Sequence, residues 1–145
     1  MIANLPEFLC IQLKRFTYDR ISQRAAKLTT PIRIEPEKIL DLSSIDYRTW
    51  LGLAPSSNPT RYRLHAVCLH LSEKSTNGLT VNIDTRTGHS VCLFRSDPTR
   101  WFLCDDERVT EINHLEHFFQ TPYVTENCYL LFYARCWALF NSCSC

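Results

Sequence analysis

Residues 88–106 read GHSVCLFRSDPTRWFLCDD, and this stretch decides how the rest of the sequence is interpreted. From His89 to Arg95, large apolar residues alternate with other types, as they do in a half-buried strand. The segment 96–99 is a dense turn signal, and an aromatic-rich run follows from Arg100 to Cys104. The stretch therefore predicts a β-hairpin with a histidine at its start and two acids at its end.

The register of this hairpin decides which acid lies opposite His89. If Arg95 pairs with Arg100 across a four-residue loop, His89 faces Asp106, whereas a three-residue loop places Asp105 there. Directly opposed side chains have Cβ atoms about 4.5–5.5 Å apart, close enough for a carboxylate to accept the ring N–H and hold one tautomer. A general-base histidine needs such a partner, so the pair is a candidate catalytic dyad. The alternative is a His–Asp surface pair on an ordinary hairpin.

The rest of the chain predicts a sheet with few helices. Residues 9–16, 61–70 and 128–135 have the apolar patterns of strands, and the last is apolar enough to be central. Thr110 is a candidate N-cap for one short helix that Pro122 would end. The residues expected to be buried together in the sheet are Leu9, Ile11, Leu13, Leu64, Ala66, Leu130 and Phe132, and those expected to share one helix face are Ile112, Leu115, Phe118 and Phe119.

Composition limits the number of domains, the class of partner and the cellular location that can be expected. A chain of 145 residues is one domain or a piece of one. Its 16 basic and 15 acidic residues leave a net charge of +1, so the basic footprint of a nucleic-acid-binding protein is missing and no nucleic-acid partner is expected. No stretch approaches the roughly 20 apolar residues of a membrane span, and the first residues lack signal-peptide character. We therefore expect an intracellular protein, cytoplasmic or nuclear.

The chain has eight cysteines, and their spacing argues against a metal site. No C-x-x-C pair occurs, so a structural zinc site of the usual spacing cannot form from local pairs. The histidine pair His114 and His117 has no nearby ligand partners in the sequence, and we expect neither a metal nor a cofactor. Three cysteines cluster in the tail, at positions 136, 143 and 145, while five sit singly in strand-like runs where a reduced thiol packs as a small hydrophobe: Cys10, Cys68, Cys92, Cys104 and Cys128.

Five segments, in order, resemble motifs of the ubiquitin-specific proteases. The strand 5–16 resembles LP-x-x-L-x-x-x-L-K-R-F, and 62–70 resembles Y-x-L-x-A-V-x-x-H. The segments 88–89, 101–106 and 129–133 resemble the histidine box, the W-x-x-F-D-D box and the closing strand. The resemblance implies an α+β, papain-like fold with an antiparallel palm sheet and short helices. Residues 1–135 would form the C-terminal portion of a catalytic domain, and residues 136–145 a cysteine-rich tail that matches nothing in the family.

The resemblance also implies a reaction, deubiquitination. In this family a cysteine thiolate attacks the carbonyl after the C-terminal glycine of ubiquitin, a histidine moves the proton, and an Asp or Asn orients that histidine. His89 matches the general base. The family spacing favours Asp105 as the orienting acid with Asp106 beside it, and one bulged residue would reconcile this with the hairpin register that favours Asp106. Gly88, Ser90 and Trp101 match substrate-binding positions, and ubiquitin and ubiquitinated proteins are the expected partners. 

Two departures from the family pattern leave the activity of the chain open. No segment resembles the family's nucleophile box, so we expect the isolated chain to be inactive and to need an N-terminal half of the catalytic domain. Ser90 also stands where the family has an aromatic residue, and the connection 71–87 is long. One alternative is therefore a non-catalytic ubiquitin-binding or scaffold domain. Another is an unrelated β-rich interaction domain.

Overall fold

A computed structural model describes residues 4–20, 23–46, 48, 51–53, 60–72 and 88–136. The predicted loops 54–60 and 71–87 and the cysteine-rich tail lie largely outside these residues. Among the described residues, a 3-10 turn occupies Ser43–Ile45. The strands are β1 (Phe8–Gln12), β2 (Phe16–Asp19), β3 (Arg24–Lys27), β4 (Leu40–Asp41), β5 (Arg61–Leu71), β6 (His89–Arg95), β7 (Trp101–Asp105), β8 (Arg108–Glu111) and β9 (Cys128–Arg135), and the helices are α1 (Leu115–Gln120) and α2 (Pro122–Thr125).

One antiparallel sheet organises the described residues. Its strand order is β1-β9-β5-β6-β7-β8, with the short β4 paired to β5, while β2 and β3 form a separate two-stranded ribbon. The almost wholly apolar β9 lies between β1 and β5, as its composition predicts. Within the described part of the chain, no helix is long and apolar enough to cross a membrane. The predicted α+β class, an antiparallel sheet with short helices, is confirmed.

The hydrophobic core lies on one face of the sheet, under the two helices. Trp101 is its largest fully buried side chain, and the rings of Trp101 and Phe119 meet edge to face at 5.1 Å. Each fully buried Leu or Phe stabilises the fold by roughly 1.5–3 kcal/mol. The other fully buried apolar residues of this cluster are Leu64, Val67, Leu69, Leu93, Val124 and Cys128.

The predicted core was partly wrong on β5. Leu64 is buried as expected, but Ala66 is only partly buried, and Val67 and Leu69 face the core in its place. The pairing of β5 with β9 shifts between Leu64 and Ala66, so His65 is an extra residue on β5. Such a bulge reverses the alternation of a strand. A prediction based on strict alternation therefore chose the wrong residues of β5 as core-facing after His65.

The predicted core was also wrong on β9. Phe132 is 37% exposed and Leu130 is half-buried, whereas Leu131 is buried and Tyr133 packs against the core. Because β9 is apolar on both faces, its sequence carries no alternation from which to read the inward face. On β1 the prediction was better, since Ile11 and Leu13 pack against the core and Leu9 is half-buried; all three are only partly buried.

The predicted helix start was wrong. Thr110 lies in strand β8, which pairs with β7, and the helix begins at Leu115 with His114 at its N-cap. A two-residue turn after β7 lets β8 return along the sheet, and pairing with β7 overrides the capping preference of the threonine. The helix ends at Gln120, just before Pro122, as predicted, and Pro122 is also the first residue of α2.

Two buried arginines tie distant segments together. Arg15, 3% exposed, donates to the carbonyl oxygens of Leu28 at 2.8 Å and Thr125 at 2.7 Å, and also to those of Thr30 and Cys128. Arg95, at the other end of the sheet, is 5% exposed and donates to several carbonyl oxygens and to a carboxylate. Buried guanidinium groups remain charged, so each depends on this full set of acceptors.

Candidate active site

The hairpin of β6 and β7 brings the candidate residues together, but its register differs from both predicted ones. Arg95 pairs with Trp101, so five residues form the loop instead of three or four. The carboxylate of Asp97 explains the extra residue. It accepts the backbone N–H groups of Thr99 and Arg100, each at 3.0 Å, and thereby supplies the hydrogen bonds that a tighter turn would make within its backbone.

The β6–β7 pairing ends at Cys92 and Cys104. Continued to His89, the same register would reach position 107, two residues beyond Asp105, so the contact with Asp105 is diagonal. His89 Nε2 and Asp105 Oδ1 are hydrogen-bonded to each other. Residues two positions apart on a strand share a face, so a diagonal neighbour lies within reach of a long side chain. The β6–β7 pairing runs without a register shift from Arg95 to Cys92, where it ends, and the bulge expected to select Asp105 stays a prediction. Asp105 is the acid that His89 contacts.

Asp106 lies beside this pair because of its backbone conformation. Its φ is +50°, in the left-handed region, and it occupies the turn that leads from β7 to β8. Aspartate tolerates this conformation better than most residues. One ligand atom each from His89, Asp105 and Asp106 lies within 4.8 Å of the other two. These three residues could in principle hold a cation, and the expectation that they hold none stays a prediction.

The electrostatics of the site make the imidazole of His89 more basic. The hydrogen bond to Asp105 raises the pKa of His89 above its ordinary value, the charges of Asp105 and Asp106 raise it further, and desolvation opposes them. The side chains of His89 and Asp105 are each 43% exposed, so both are open to solvent. Because Nε2 is engaged by the carboxylate, Nδ1 is the nitrogen left to exchange a proton with a reactant. This is the arrangement that a general base requires.

Replacing Asp105 is expected to lower the pKa of His89. The Asp105→Asn change removes a negative charge that favours the imidazolium, so the ring should lose its proton at a lower pH than in the unmodified chain. NMR titration of the His89 ring protons in the 145-residue chain measures this. Glu116→Gln, which removes an exposed acid on α1, is the matched control and should leave the titration unchanged. An unchanged His89 titration in Asp105→Asn would contradict the coupling of the two residues.

The remaining predicted site residues fall into two groups. Gly88 and Ser90 are exposed on either side of His89, and their assignment as substrate-binding positions stays a prediction. Trp101 differs from them, because its side chain is fully buried between Phe119 and the guanidinium of Arg95, whose Cζ lies 5.0 Å from the ring centroid. The ring packs in the core, and its assignment as a substrate-binding position stays a prediction.

Two cysteines of the hairpin lie on the face of the sheet away from His89 and Asp105. Cys92 and Cys104 pair across β6 and β7, so their side chains share one face of the sheet. Successive residues of a strand point to opposite faces, so Cys104 and the adjacent Asp105 lie on different faces. Burial raises the pKa of Cys92 to about 12 and also raises the pKa of Cys68, whereas a thiol nucleophile needs a lowered value. Cys128 is buried as predicted, but Cys10 is exposed and Cys68, Cys92 and Cys104 are only partly buried.

Several residues beside the site were missed from the sequence. Lys27 donates from Nζ to Asn127 Oδ1 at 2.6 Å and to the carbonyl oxygen of His70, and burial lowers its pKa to about 8. Burial raises the pKa of Tyr123, with the charge of Asp105 adding to it, which places this phenol near the acid. Lys27 and Asn127 are 100 residues apart, and no local pattern signals such a contact.

Comparisons with known proteins define the family. The model of the family described as ubiquitin carboxyl-terminal hydrolase matches residues 1–133. The chain therefore belongs to this family, as its motifs predict. It is 28% identical over 135 residues to the probable ubiquitin carboxyl-terminal hydrolase creB of Neosartorya fischeri, covering 91% of this chain and 15% of that protein. It is 30% identical to the probable ubiquitin carboxyl-terminal hydrolase 9 of Schizosaccharomyces pombe, covering 91% of this chain and 20% of that protein.

Solved structures share the fold. A SAGA DUB module containing Ubp8, Sgf11, Sgf73 and Sus1 matches with a TM-score of 0.64 and 21% identity, covering 93% of this chain and 25% of that one. A SAGA DUB module bound to monoubiquitin matches with a TM-score of 0.60 and 24% identity, covering 93% and 24%. The predicted ubiquitin-specific protease fold is thereby confirmed. The chain spans only about a quarter of these structures and a fifth or less of the two curated relatives.

Proposed function

We propose that this chain supplies the histidine and the orienting acid of a thiol-dependent deubiquitinase. The reaction is hydrolysis of the peptide or isopeptide bond after the C-terminal glycine of ubiquitin. The observation that carries the proposal is the hydrogen bond between His89 Nε2 and Asp105 Oδ1, in a chain that belongs to the ubiquitin carboxyl-terminal hydrolase family. Residues 1–135 would form the C-terminal part of the catalytic domain. Ubiquitin and ubiquitinated proteins are the proposed partners.

In this mechanism His89 moves protons and Asp105 holds it in place. Nδ1 of His89 takes the proton of a cysteine thiol, and the thiolate attacks the carbonyl carbon after the terminal glycine. The imidazolium then gives its proton to the leaving lysine amine, which leaves a thioester. Water, deprotonated by the same imidazole, hydrolyses the thioester and regenerates the thiol. Asp105 keeps Nδ1 directed at the reactants and stabilises the imidazolium, and Asp106 adds negative charge.

The nucleophilic cysteine is proposed to lie outside the 145 residues. Cys104 belongs to the other face of the β6–β7 hairpin from the candidate dyad, and the raised pKa values of Cys68 and Cys92 disfavour thiolates there. The thiol would come from an N-terminal part of the catalytic domain, which is consistent with the small share of each relative that this chain covers. Gly88 and Ser90, exposed beside His89, are proposed to contact the tail of ubiquitin.

The isolated chain is expected to have no measurable turnover of a fluorogenic ubiquitin conjugate. A histidine and an acid can activate a thiol only when its sulfur lies within hydrogen-bond reach of the imidazole, and Cys92 and Cys104 belong to the other face of the hairpin. When an upstream segment that carries the family's cysteine box is joined to the chain or added as a second chain, turnover should appear. Robust turnover by the 145-residue chain alone would place the nucleophile inside it, and Cys104 would be the first cysteine to replace.

A second candidate function is a non-catalytic ubiquitin-binding domain. The observation in its favour is Ser90, which is exposed beside His89 where the family has an aromatic residue. If this alternative holds, the joined protein would bind ubiquitin without cleaving its conjugates, and His89→Ala would leave the binding unchanged. Parallel measurements of ubiquitin binding and of conjugate cleavage on the same samples separate the two functions.

A further inference from the structure

Gly88 makes an unusually close approach to the neighbouring strand. A Cβ atom added at Gly88 would lie well inside 3.0 Å of both Nε2 and Cε1 of His70, and 3.2 Å from the carbonyl oxygen of Leu71. Real Cβ atoms do not come within 3.0 Å of other heavy atoms. The φ of Gly88 is not in the left-handed region. Contact with the imidazole of His70, and not backbone conformation, is therefore what excludes a side chain here.

The ring of His70 is packed against two aromatic rings. Phe16 meets it edge to face at 5.1 Å between ring centroids, and Tyr129 does so at 6.3 Å. Its backbone is held as well, because the N–H of His70 donates to the carbonyl oxygen of Asn127 at 3.0 Å and its own carbonyl oxygen accepts from Lys27 Nζ. The surface that Gly88 contacts is thus fixed by residues from β2, β3 and β9.

His70 and Asp105 hold the start of β6 from opposite sides. Leu71 pairs with His89 and His70 pairs with Ser90, so His70 and His89 project from opposite faces of the sheet. The backbone of Gly88 packs against the ring of His70 on one face. On the other face, the side chain of His89 reaches the carboxylate of Asp105.

We infer that His70 is a positioning residue for His89: its ring sets how closely the Gly88 backbone approaches β5, and thereby where His89 meets Asp105. The inference rests on the proposed function, because the residue being positioned is the proposed general base. Burial lowers the pKa of His70, with the charge of Lys27 adding to the effect, so its ring is neutral at neutral pH and acts through its shape. A methyl group at position 88 would push the start of β6 away from the ring and carry His89 with it.

A double-mutant cycle on the 145-residue chain tests this, with the NMR titration of His89 as the measurement. Gly88→Ala in the otherwise unmodified chain is expected to lower the pKa of His89. The alanine methyl displaces the start of β6, so the imidazole of His89 loses its hydrogen bond to Asp105. In a chain that already carries His70→Ala, the same change is expected to have no effect, because the atoms it would clash with are gone. His117→Ala, an exposed histidine on α1, serves as the matched control background and should preserve the full effect of Gly88→Ala.

Equal effects of Gly88→Ala in the unmodified and His70→Ala backgrounds would overturn the inference, and so would the absence of any effect in the unmodified chain. If Gly88→Ala alone does not fold, the variant that carries both Gly88→Ala and His70→Ala tests the inference. A folded double variant in which His89 titrates as in His70→Ala supports the inference, and an unfolded one overturns it. The titration needs neither ubiquitin nor a nucleophile. A failure of the proposed function, seen as absent cleavage by the joined protein, is therefore distinguishable from a failure of this inference.

Discussion

His89→Ala is expected to lower kcat for cleavage of a ubiquitin conjugate by about 1,000-fold in the joined protein that carries both the cysteine box and this chain. The alanine removes the group that deprotonates the thiol and protonates the leaving amine, so both chemical steps are affected. KM should change little, because the imidazole contributes mainly to the transition state and not to substrate binding. Steady-state kinetics with a fluorogenic ubiquitin conjugate measures both parameters.

Replacements of Asp105 provide the graded comparison for this prediction. The kcat of Asp105→Ala should lie between those of the unmodified protein and His89→Ala, because the imidazole remains but is no longer oriented. Asp105→Asn should be milder than Asp105→Ala, since an amide oxygen can still accept the Nε2–H of His89. His117→Ala serves as the control. Equal activity of His89→Ala and His117→Ala would exclude His89 from the chemistry and would favour the non-catalytic alternative.

Arg15→Met is expected to lower the free energy of unfolding by about 3 kcal/mol or more. The methionine has a similar volume but no donors, so the carbonyl oxygens of Leu28, Thr30, Thr125 and Cys128 would lose the guanidinium that they share. Leaving even one buried acceptor without a partner costs about 1–3 kcal/mol. Urea denaturation of the 145-residue chain, followed by tryptophan fluorescence and extrapolated linearly to water, measures the loss.

The neighbouring lysine is the control for Arg15. Lys14→Met makes a similar change at an exposed position, and surface replacements of this kind alter stability by about 0.5 kcal/mol or less. A similar midpoint for the two variants would contradict the structural role assigned to Arg15. A change in the slope with denaturant would instead point to a change in the compactness of the folded or unfolded chain.

The candidate dyad could be predicted from the sequence because its members are close together in the chain. A turn signal between two strand-like runs placed His89 near the acids, and the family spacing chose Asp105. The register itself could not be predicted. The hydrogen bonds of the Asp97 side chain lengthen the loop, and the number of turn residues in the sequence does not reveal those hydrogen bonds. The diagonal contact depends on this register, whereas the left-handed Asp106 belongs to the turn between β7 and β8.

The core was harder to predict than the site. A bulge at His65 reversed the inward face of β5, and β9 is apolar on both faces, so neither strand has a pattern from which its orientation can be read. The burial of Trp101 was not predicted, because a motif match does not report burial. The contacts of Arg15, Lys27 and His70 join residues tens to more than a hundred positions apart. Nothing local in the sequence signals them.

The reach of Arg15 has a consequence for the order in which the protein folds during synthesis. The hairpin that joins His89 to Asp105 closes over 16 residues, a local event of microseconds once both strands are available. Arg15 and Cys128 are 113 residues apart. At about 5–20 residues per second, the last acceptor is synthesised roughly 6–23 s after Arg15. The nascent chain therefore carries a formed His–Asp hairpin before the central sheet can close, and a chaperone that binds β1 in this interval would delay assembly of the sheet without disturbing the pair.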